Sequence, residues 1–433
     1  MNYETNIDEI LNQLIDIGSD ISYLNELKLK LQNYVKKDLD LCEILSNISK
    51  EVKNETEEFL YAKNMYDINY TTGISTCIYL PDYNSNGEFK LKIIGGKLGR
   101  WSSKKIDDNT IFDVASITKL FTLILLFKLE ELGLINLNDR ICDINEDFQN
   151  LGDFTLNDLV KLHGELATNG NISEAKSSKE AYDILKTLYL KSNDRTVNKY
   201  NDFGAIVIGD TIEKVISKYK GEDLTLEDIM FEYLLKPMRL HHTYYNPIKN
   251  NISGNGNKKR LVHDRKAKKL GGTLGHAGIF TTSDDLAKLS KCLYFNREII
   301  NKKHLNCLGE ITFPDSKEAC KGNLGIYVKN KFGLDRTFTP SEFSFNSFSH
   351  QGWTGALACF DPNNLIHYNI LVNSIYEDSD LSKVKNDKPV GYMDAFSDYQ
   401  KELTKNTILM YVAKKYYNKY LNAKENIDIV KYL

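Results

Sequence analysis

The strongest constraint on the fold lies between residues 112 and 129. Phe112-Asp113-Val114-Ala115-Ser116-Ile117-Thr118-Lys119 leads into Leu120-Phe121-Thr122-Leu123-Ile124-Leu125-Leu126-Phe127, a run that is apolar on nearly every side. A helix of that kind has to be buried all round, so the fold must wrap this segment as a central helix. Ser116 stands at its start and Lys119 one turn later, and positions i and i+3 share a helical face. Hydroxyl and amine therefore meet where free N–H groups and the positive end of the helix dipole favour an anionic oxygen. A serine hydroxyl is a weak nucleophile until a neighbouring base takes its proton. A lysine serves as that base only when burial or nearby positive charge lowers its pKa. Ser116 and Lys119 are accordingly candidate catalytic residues, although S-x-x-K alone equally describes an N-cap serine with an incidental lysine.

The remainder of the chain narrows the class. Its 433 residues can build two or three domains' worth of core. A net charge of −3 gives no reason to expect a nucleic-acid or membrane-surface partner. Cysteines 42, 77, 142, 292, 307, 320 and 359 are odd in number and form no C-x-x-C pair, which argues against a disulfide framework or a zinc site. They read as small hydrophobes of a reducing compartment. Met1 to Glu9 lacks a basic segment followed by an apolar run. The run Leu120 to Leu129 is broken by Thr122 and Lys128 and is too short to span a bilayer. The expectation is a cytoplasmic protein with no membrane span. No H-E-x-x-H and no clustered acid set points to a metal, and no cofactor is expected.

Taken in order, Ile7, Ile10, Leu11, Leu14 and Ile15, then Leu24, Leu27, Leu31 and Tyr34, follow helical spacing. They predict a helical extension over 1–65 that packs on the body or offers a surface for a homo-oligomer. Ser75 to Leu80 and Phe89 to Ile94 are β-rich runs around the loop Pro81 to Gly87, which predicts a hairpin. Gly133 ends the Ser116 helix as a C-cap residue. Residues 137–220 read as mostly helical, with polar loops at 167–180 and 191–196, and Tyr200-Asn201-Asp202-Phe203-Gly204 opens a further apolar helix. Leu270 to Thr282 is rich in glycine around an apolar core, as where backbones approach closely, and Ser283 then looks like an N-cap. His241-His242 is read as part of a strand with its two rings on opposite faces. His263 and His276 are read as structural, bonding loop carbonyls around the glycine-rich turn. The last third carries β-rich runs at Leu324 to Val328, Ala356 to Phe360 and Tyr368 to Val372, with Ser349-His350-Gln351-Gly352-Trp353-Thr354-Gly355 between them. A final helix follows at about 393–420. Strands at both ends with helices between predict one antiparallel sheet built from both chain ends, flanked by helices, with an all-helical subdomain beside it.

Three elements stand in one order: Ser116-Ile117-Thr118-Lys119, Tyr200-Asn201-Asp202 and His350-Gln351-Gly352. The chain thereby resembles the serine β-lactamase and penicillin-binding protein superfamily. Its closest resemblance is to the branch of class C β-lactamases, D-alanyl-D-alanine carboxypeptidases and β-lactamase-like esterases, which use S-x-x-K, Y-x-N and K-T-G or H-x-G. Leu234-Leu235-Lys236-Pro237-Met238 with Thr243-Tyr244-Tyr245, and Val262-His263-Asp264 with Gly271 through Leu286, extend the likeness over about residues 70–420. It implies an α/β (α+β) chain of the β-lactamase/transpeptidase-like fold, with a hydrolase domain at 66–425. The α/β part would cover about 66–135 and 265–425, and the helical part about 136–264.

The roles that the resemblance implies are Ser116 as acylated nucleophile, Lys119 as proton acceptor or relay, and Tyr200 as general acid that later helps activate water. Asp202, His350, Gly352 and Trp353 would line the oxyanion and substrate side, with the N–H groups of Ser116 and Trp353 as the oxyanion hole. Asp202 replaces the asparagine of many relatives, and a carboxylate there opposes any lowering of the Lys119 pKa. Residues Asp158 to Leu166 follow the family's loop only loosely, and Glu165 to Asn169 match a deacylating glutamate motif by chance alone. His350 replaces the usual lysine, and its ordinary pKa of ~6.5 would let it gain charge as the pH drops. The functional expectation is a serine hydrolase acting on a small ester, amide or peptide. The alternatives are a β-lactamase or D-Ala-D-Ala carboxypeptidase-type peptidase, or a catalytically weak ligand-binding or sensing module.

Overall fold

The computed structural model describes residues 73–81, 88–99, 102–247, 251–253, 262–295, 298–312, 321–329, 339 and 343–373, with a few isolated positions before residue 55. The chain divides into two compact units: Met1–Met65 with Pro340–Ser344 and Gly391–Leu433, and Tyr66–Thr339 with Phe345–Val390. The helices expected within 1–65 and at about 393–420 lie outside the described residues.

In the second unit, β1 (Gly73–Pro81), β2 (Glu88–Gly96) and β3 (Phe112–Asp113) come first, and β4 (Glu165–Ala167), β5 (Tyr189–Ser192) and β6 (Tyr244–Tyr245) lie in the middle. The series closes with β7 (Ile279–Thr281), β8 (Tyr327–Val328), β9 (Phe348–Gln351), β10 (Leu357–Asp361) and β11 (Ile366–Val372). The helices that matter for the site are α1 (Thr118–Glu131), α2 (Phe203–Lys220), α3 (Arg265–Lys269) and α4 (Ser283–Phe295). The main sheet has six strands in the order β2-β1-β11-β10-β9-β8. β1 pairs antiparallel with β2 on one side and with β11 on the other, from Ile74↔Val372 to Tyr79↔His367. The sheet is thus built from both ends of the unit, as the strand-rich ends predict. β1 and β11 are buried along their whole length, with Ser75, Thr76, His367 and Asn369 as polar residues within them.

α4 covers one face of this sheet, its Ala287 clustering with Cys77 and Tyr79. Asn369 Nδ2 donates to the Ser283 carbonyl at 3.0 Å. Ser283 is not the N-cap that its position suggested. Thr282 Oγ1 accepts the Asp285 N–H at 3.2 Å, while the Ser283 hydroxyl lies 2.8 Å from that of Ser75 and ties the helix to β1. α1 is buried from Thr118 through Phe127, the central position that its all-round apolar surface requires.

The middle of the chain is mainly helical but also carries the two-stranded β4–β5 sheet. These strands of three and four residues are too short to show period-two alternation, so they read as the flanks of polar loops. His241-His242 sits in the turn before β6 rather than on a strand. Of Leu324 to Val328 only Tyr327–Val328 is strand, because Leu324 takes φ 51° in a turn over Asn323–Gly325. The glycine-rich loop needs its glycines for contact: a Cβ on Gly275 would lie 2.0 Å from the Ala205 carbonyl oxygen. The loop therefore packs directly on the first turn of α2 and fixes where α2 starts. Among the described residues no helix is long and apolar enough to cross a membrane.

His367 on β11 is fully buried, its ring centroid 4.6 Å from that of Phe360, with Nε2 2.9 Å from Asn369 Nδ2. Burial pushes its pKa down from 6.5 to about 3. Below pH 6.5 the unfolded chain takes up a proton that the folded chain refuses, so stability falls as the pH drops from 6.5 towards 3. The loss reaches at most about 1.4 kcal/mol per pH unit for one such group. His367→Gln is expected to flatten the fall of stability between pH 6.5 and 4, measured by urea unfolding at each pH; an unchanged slope would show that His367 is not held neutral.

Candidate active site

The turn that carries Ser116 is built before α1 begins. Ala115–Ile117 forms a 3-10 turn, and Ala115 takes φ 45°, a left-handed conformation that costs a non-glycine residue about 1–3 kcal/mol. Asp113 holds it there: Oδ1 accepts the Ala115 N–H at 2.8 Å, and Oδ2 accepts the His263 N–H at 2.7 Å and faces His263 Nδ1 at 2.9 Å. The Thr354 hydroxyl donates to the Asp113 carbonyl at 2.8 Å, and the Val114 N–H donates to the Ile279 carbonyl at 3.1 Å. Asp113 is a supporting residue that motif reading passed over. Its signal was an aspartate two residues before a strained position, where a carboxylate can accept a nearby N–H. His263 is structural as expected, but it faces this carboxylate rather than a loop carbonyl.

From this turn Lys119 reaches back so that Nζ donates to Ser116 Oγ at 3.0 Å and to Asp202 Oδ1 at 2.9 Å. Lys119 is fully buried, while Asp202, just before α2, is partly exposed. The second carboxylate oxygen, Oδ2, accepts from Lys266 Nζ at 2.6 Å. Lys266 lies in the first turn of α3, whose N-terminal Ala267 N–H is capped by Asp264 Oδ1 at 2.8 Å. The same Asp264 oxygen lies 3.0 Å from His276 Nε2. Lys266 escaped notice because Arg265-Lys266-Ala267-Lys268-Lys269 reads as a solvated charge run.

Asp202, Asp264 and His276 bring ligand atoms within 4.8 Å of one another, a clustering invisible in sequence. Both Asp202 oxygens, however, are already held by ammonium groups, so the group reads as an ion-pair network.

Tyr200 completes the centre. The Lys119 Nζ lies 5.0 Å from its ring centroid and the Lys321 Nζ 5.2 Å, so two ammonium groups flank the ring. Burial alone would lower the Lys119 pKa, but Tyr200 and Asp202 outweigh it and raise the amine to about 12. The resting state is therefore an ammonium that donates to Ser116, not a free base. This is the outcome that an aspartate at position 202 foreshadowed. For Asp202, burial would raise the pKa, but Lys119, His276 and Lys266 hold the carboxyl far below its usual range.

β9 closes the other side. A Cβ on Gly352 would lie 2.4 Å from the Val114 carbonyl oxygen, so only glycine lets this strand end touch the turn that carries Ser116. The Gly352 N–H donates to the Ala356 carbonyl at 2.7 Å, closing a tight turn that exposes Trp353. Among the described residues neither the Ser116 N–H nor the Trp353 N–H donates to a backbone carbonyl outside its own helix or strand. His350 sits behind them, 2 % exposed, with Nδ1 3.0 Å from the Gln351 carbonyl oxygen. Burial, reinforced by Lys119, pushes its pKa down to about 3. The expectation that it titrates near pH 6.5 is thereby corrected: His350 stays neutral throughout the physiological range.

A Beta-lactamase family model matches residues 86–389. A Salmonella gallinarum protein named "Putative D-alanyl-D-alanine carboxypeptidase" is 26% identical over 311 residues, covering 61% of this chain and 69% of that protein. Among solved structures, a class C β-lactamase in complex with cefoxitin superposes with a TM-score of 0.58 at 17% identity, over 83% of this chain and 99% of the other. The D-amino acid amidase of Ochrobactrum anthropi SV3 gives 0.58 at 15% identity, over 84% and 98%. The fold is that of the β-lactamases and penicillin-binding proteins. The chain belongs to the Beta-lactamase family.

Gly352→Ala places a methyl group against backbone that cannot yield without moving the strained Ala115. It is expected to destabilise the protein by about 1–3 kcal/mol and to lower kcat/KM more than tenfold, read from a melt and from initial rates. Wild-type rates from the variant would show that β9 does not seat the Ser116 turn.

Proposed function

We propose that the chain is a serine hydrolase that works through an acyl-enzyme on Ser116, with a small ester or amide as substrate. The observation that carries this reading is Lys119 Nζ at 3.0 Å from Ser116 Oγ, on a buried amine tied to Asp202 and facing Tyr200. The substrate carbonyl oxygen would sit on the Ser116 and Trp353 N–H groups, each donor of such a hole contributing about 3–4 kcal/mol.

Lys119 first sheds one proton to solvent, which leaves a neutral amine. The Ser116 hydroxyl proton then passes to Lys119 as Oγ bonds to the acyl carbon and the carbonyl π pair moves onto oxygen. Collapse of that intermediate breaks the bond to the leaving group, which takes a proton through Tyr200. Water then adds to the acyl carbon as the Lys119 amine takes its proton, and collapse breaks the acyl–Oγ bond, releases the acid and returns that proton to Ser116 Oγ.

Neutral His350 supplies no fixed cation for a substrate carboxylate, and ester leaving groups ask less of a general acid than amides do. Both points favour short esters. A second reading, a carboxypeptidase-type peptidase acting on a carboxylate-bearing substrate, is favoured by one observation, the Lys321 ammonium beside Tyr200. Five described cysteines are free, which supports a cytoplasmic setting for either reading.

The test compares short p-nitrophenyl esters with nitrocefin from about pH 6 to 9, a range that spans the ordinary histidine titration. Ester kcat/KM is expected to rise through this range, because the active centre is one proton poorer than the resting one. No inflection is expected near pH 6.5, because His350 titrates at about 3. Nitrocefin should be the slower substrate, and Ser116→Ala should reduce both to background while folding normally. Retained hydrolysis by Ser116→Ala would refute the reading, and nitrocefin turned over faster than the esters at pH 8 would refute the ester preference.

A further inference from the structure

Lys119 and Lys266 hold the two oxygens of one carboxylate, at 2.9 Å and 2.6 Å, but from unlike surroundings. The Lys119 side chain has no exposed surface, whereas that of Lys266 is 29% exposed. Water can therefore stabilise the Lys266 charge and not that of Lys119. Losing the Lys119 proton would, without Lys266, leave Asp202, whose side chain is only 20% exposed, with no ammonium on either oxygen, and leaving a half-buried charge without its partners is unfavourable. With Lys266 present, the deprotonated centre still contains a complete ion pair.

We propose that Lys266 is a positioning residue of the hydrolase: its ammonium keeps Asp202 paired while Lys119 gives up its proton, and so makes the base-competent state of the Ser116 centre accessible. The inference rests on the reading of Ser116 as nucleophile. α3 is built to hold Lys266 in place, since Asp264 caps its N-terminus and also faces His276. Among the described residues several charged groups bear on the balance, Lys321 beside the Tyr200 ring included. Asp202 feels Lys119, His276 and Lys266; Lys119 feels Tyr200 and Asp202; His350 faces Lys119 and stays neutral; and Asp264 adds a second carboxylate beside His276.

The experiment follows the rate at which a fluorophosphonate labels Ser116 as a function of pH, in the full chain, for wild type, Lys266→Met, Lys266→Gln and Lys266→Arg. Peptide mapping confirms the labelled residue, and a melt confirms folding. Losing one neighbouring cation is expected to move the ascending limb by about one unit to higher pH, which is about a tenfold slower labelling at pH 7. Below the Lys119 pKa of about 12 the shift reads as a rate about tenfold lower at every pH, in Lys266→Met and Lys266→Gln alike, and Lys266→Arg should restore the wild-type rate.

A merely structural Lys266 would give a loss that Lys266→Arg does not restore, and that result overturns the proposal. So does an unshifted limb, or a shift to lower pH, in whichever of the Met and Gln variants is folded. Wild type that is not labelled on Ser116 overturns the nucleophile reading and this inference together. Labelled wild type with an unshifted variant overturns this inference alone.

Discussion

The Asp202 carboxylate is the interaction on which the site depends. It stands at the junction of three pieces of chain that are distant in sequence: α1 brings Lys119, the start of α2 brings Asp202, and α3 brings Lys266. A fully buried lysine is costly as a charge, and it is tolerated here because a carboxylate and a tyrosine surround it. The same pairing sets the chemistry. An amine raised to about 12 is a hydrogen-bond donor to Ser116 at rest, and in the proposed acyl-enzyme reading it acts as a base only after a proton has left.

The scaffold serves this junction by close backbone approach. The glycine-rich loop presses on α2 at Gly275 and is tied to α1 where Thr122 Oγ1 donates to the Gly275 carbonyl at 2.7 Å. β9 presses on the Ser116 turn at Gly352, and Asp113 holds the turn from beneath. Each contact leaves too little room for a side chain or supplies a hydrogen bond that the strained Ala115 needs. The positions of Ser116, Lys119 and the Trp353 N–H are therefore consequences of backbone packing more than of side-chain choice.

Much of this was legible in the sequence, for physical reasons. The all-round apolar run after Ser116 could only be a central helix, and strand-rich ends around a helical middle could only close one sheet through β1 and β11. Ser116, Lys119 and Tyr200 were legible as a group because their motifs stand in a fixed order, and the fold brings the three side chains together. Asp202 was visible because a carboxylate beside a lysine has a definite electrostatic sign. What stayed hidden depends on pairing between segments. Lys266 looks like surface charge until α3 is placed against Asp202, and Asp113 looks like a strand-end residue until His263 and Ala115 converge on it. The low His350 pKa follows from burial, which the motif around it does not encode. β4 and β5, of three and four residues, span too few periods for alternation to mark them, and the capping role of Thr282 is separated from that of Ser283 only by which hydroxyl the sheet claims.

The central claim is that acyl transfer passes through Ser116. It is tested most directly by quenching the enzyme in acid within its first turnovers of an activated aryl ester, then weighing the intact protein and mapping the modified peptide. The account predicts a mass increase equal to one acyl group, located on Ser116 and lost again as the substrate is exhausted. Steady ester turnover with no adduct, or an adduct on a surface lysine or on Cys142 while Ser116 stays unmodified, would contradict it.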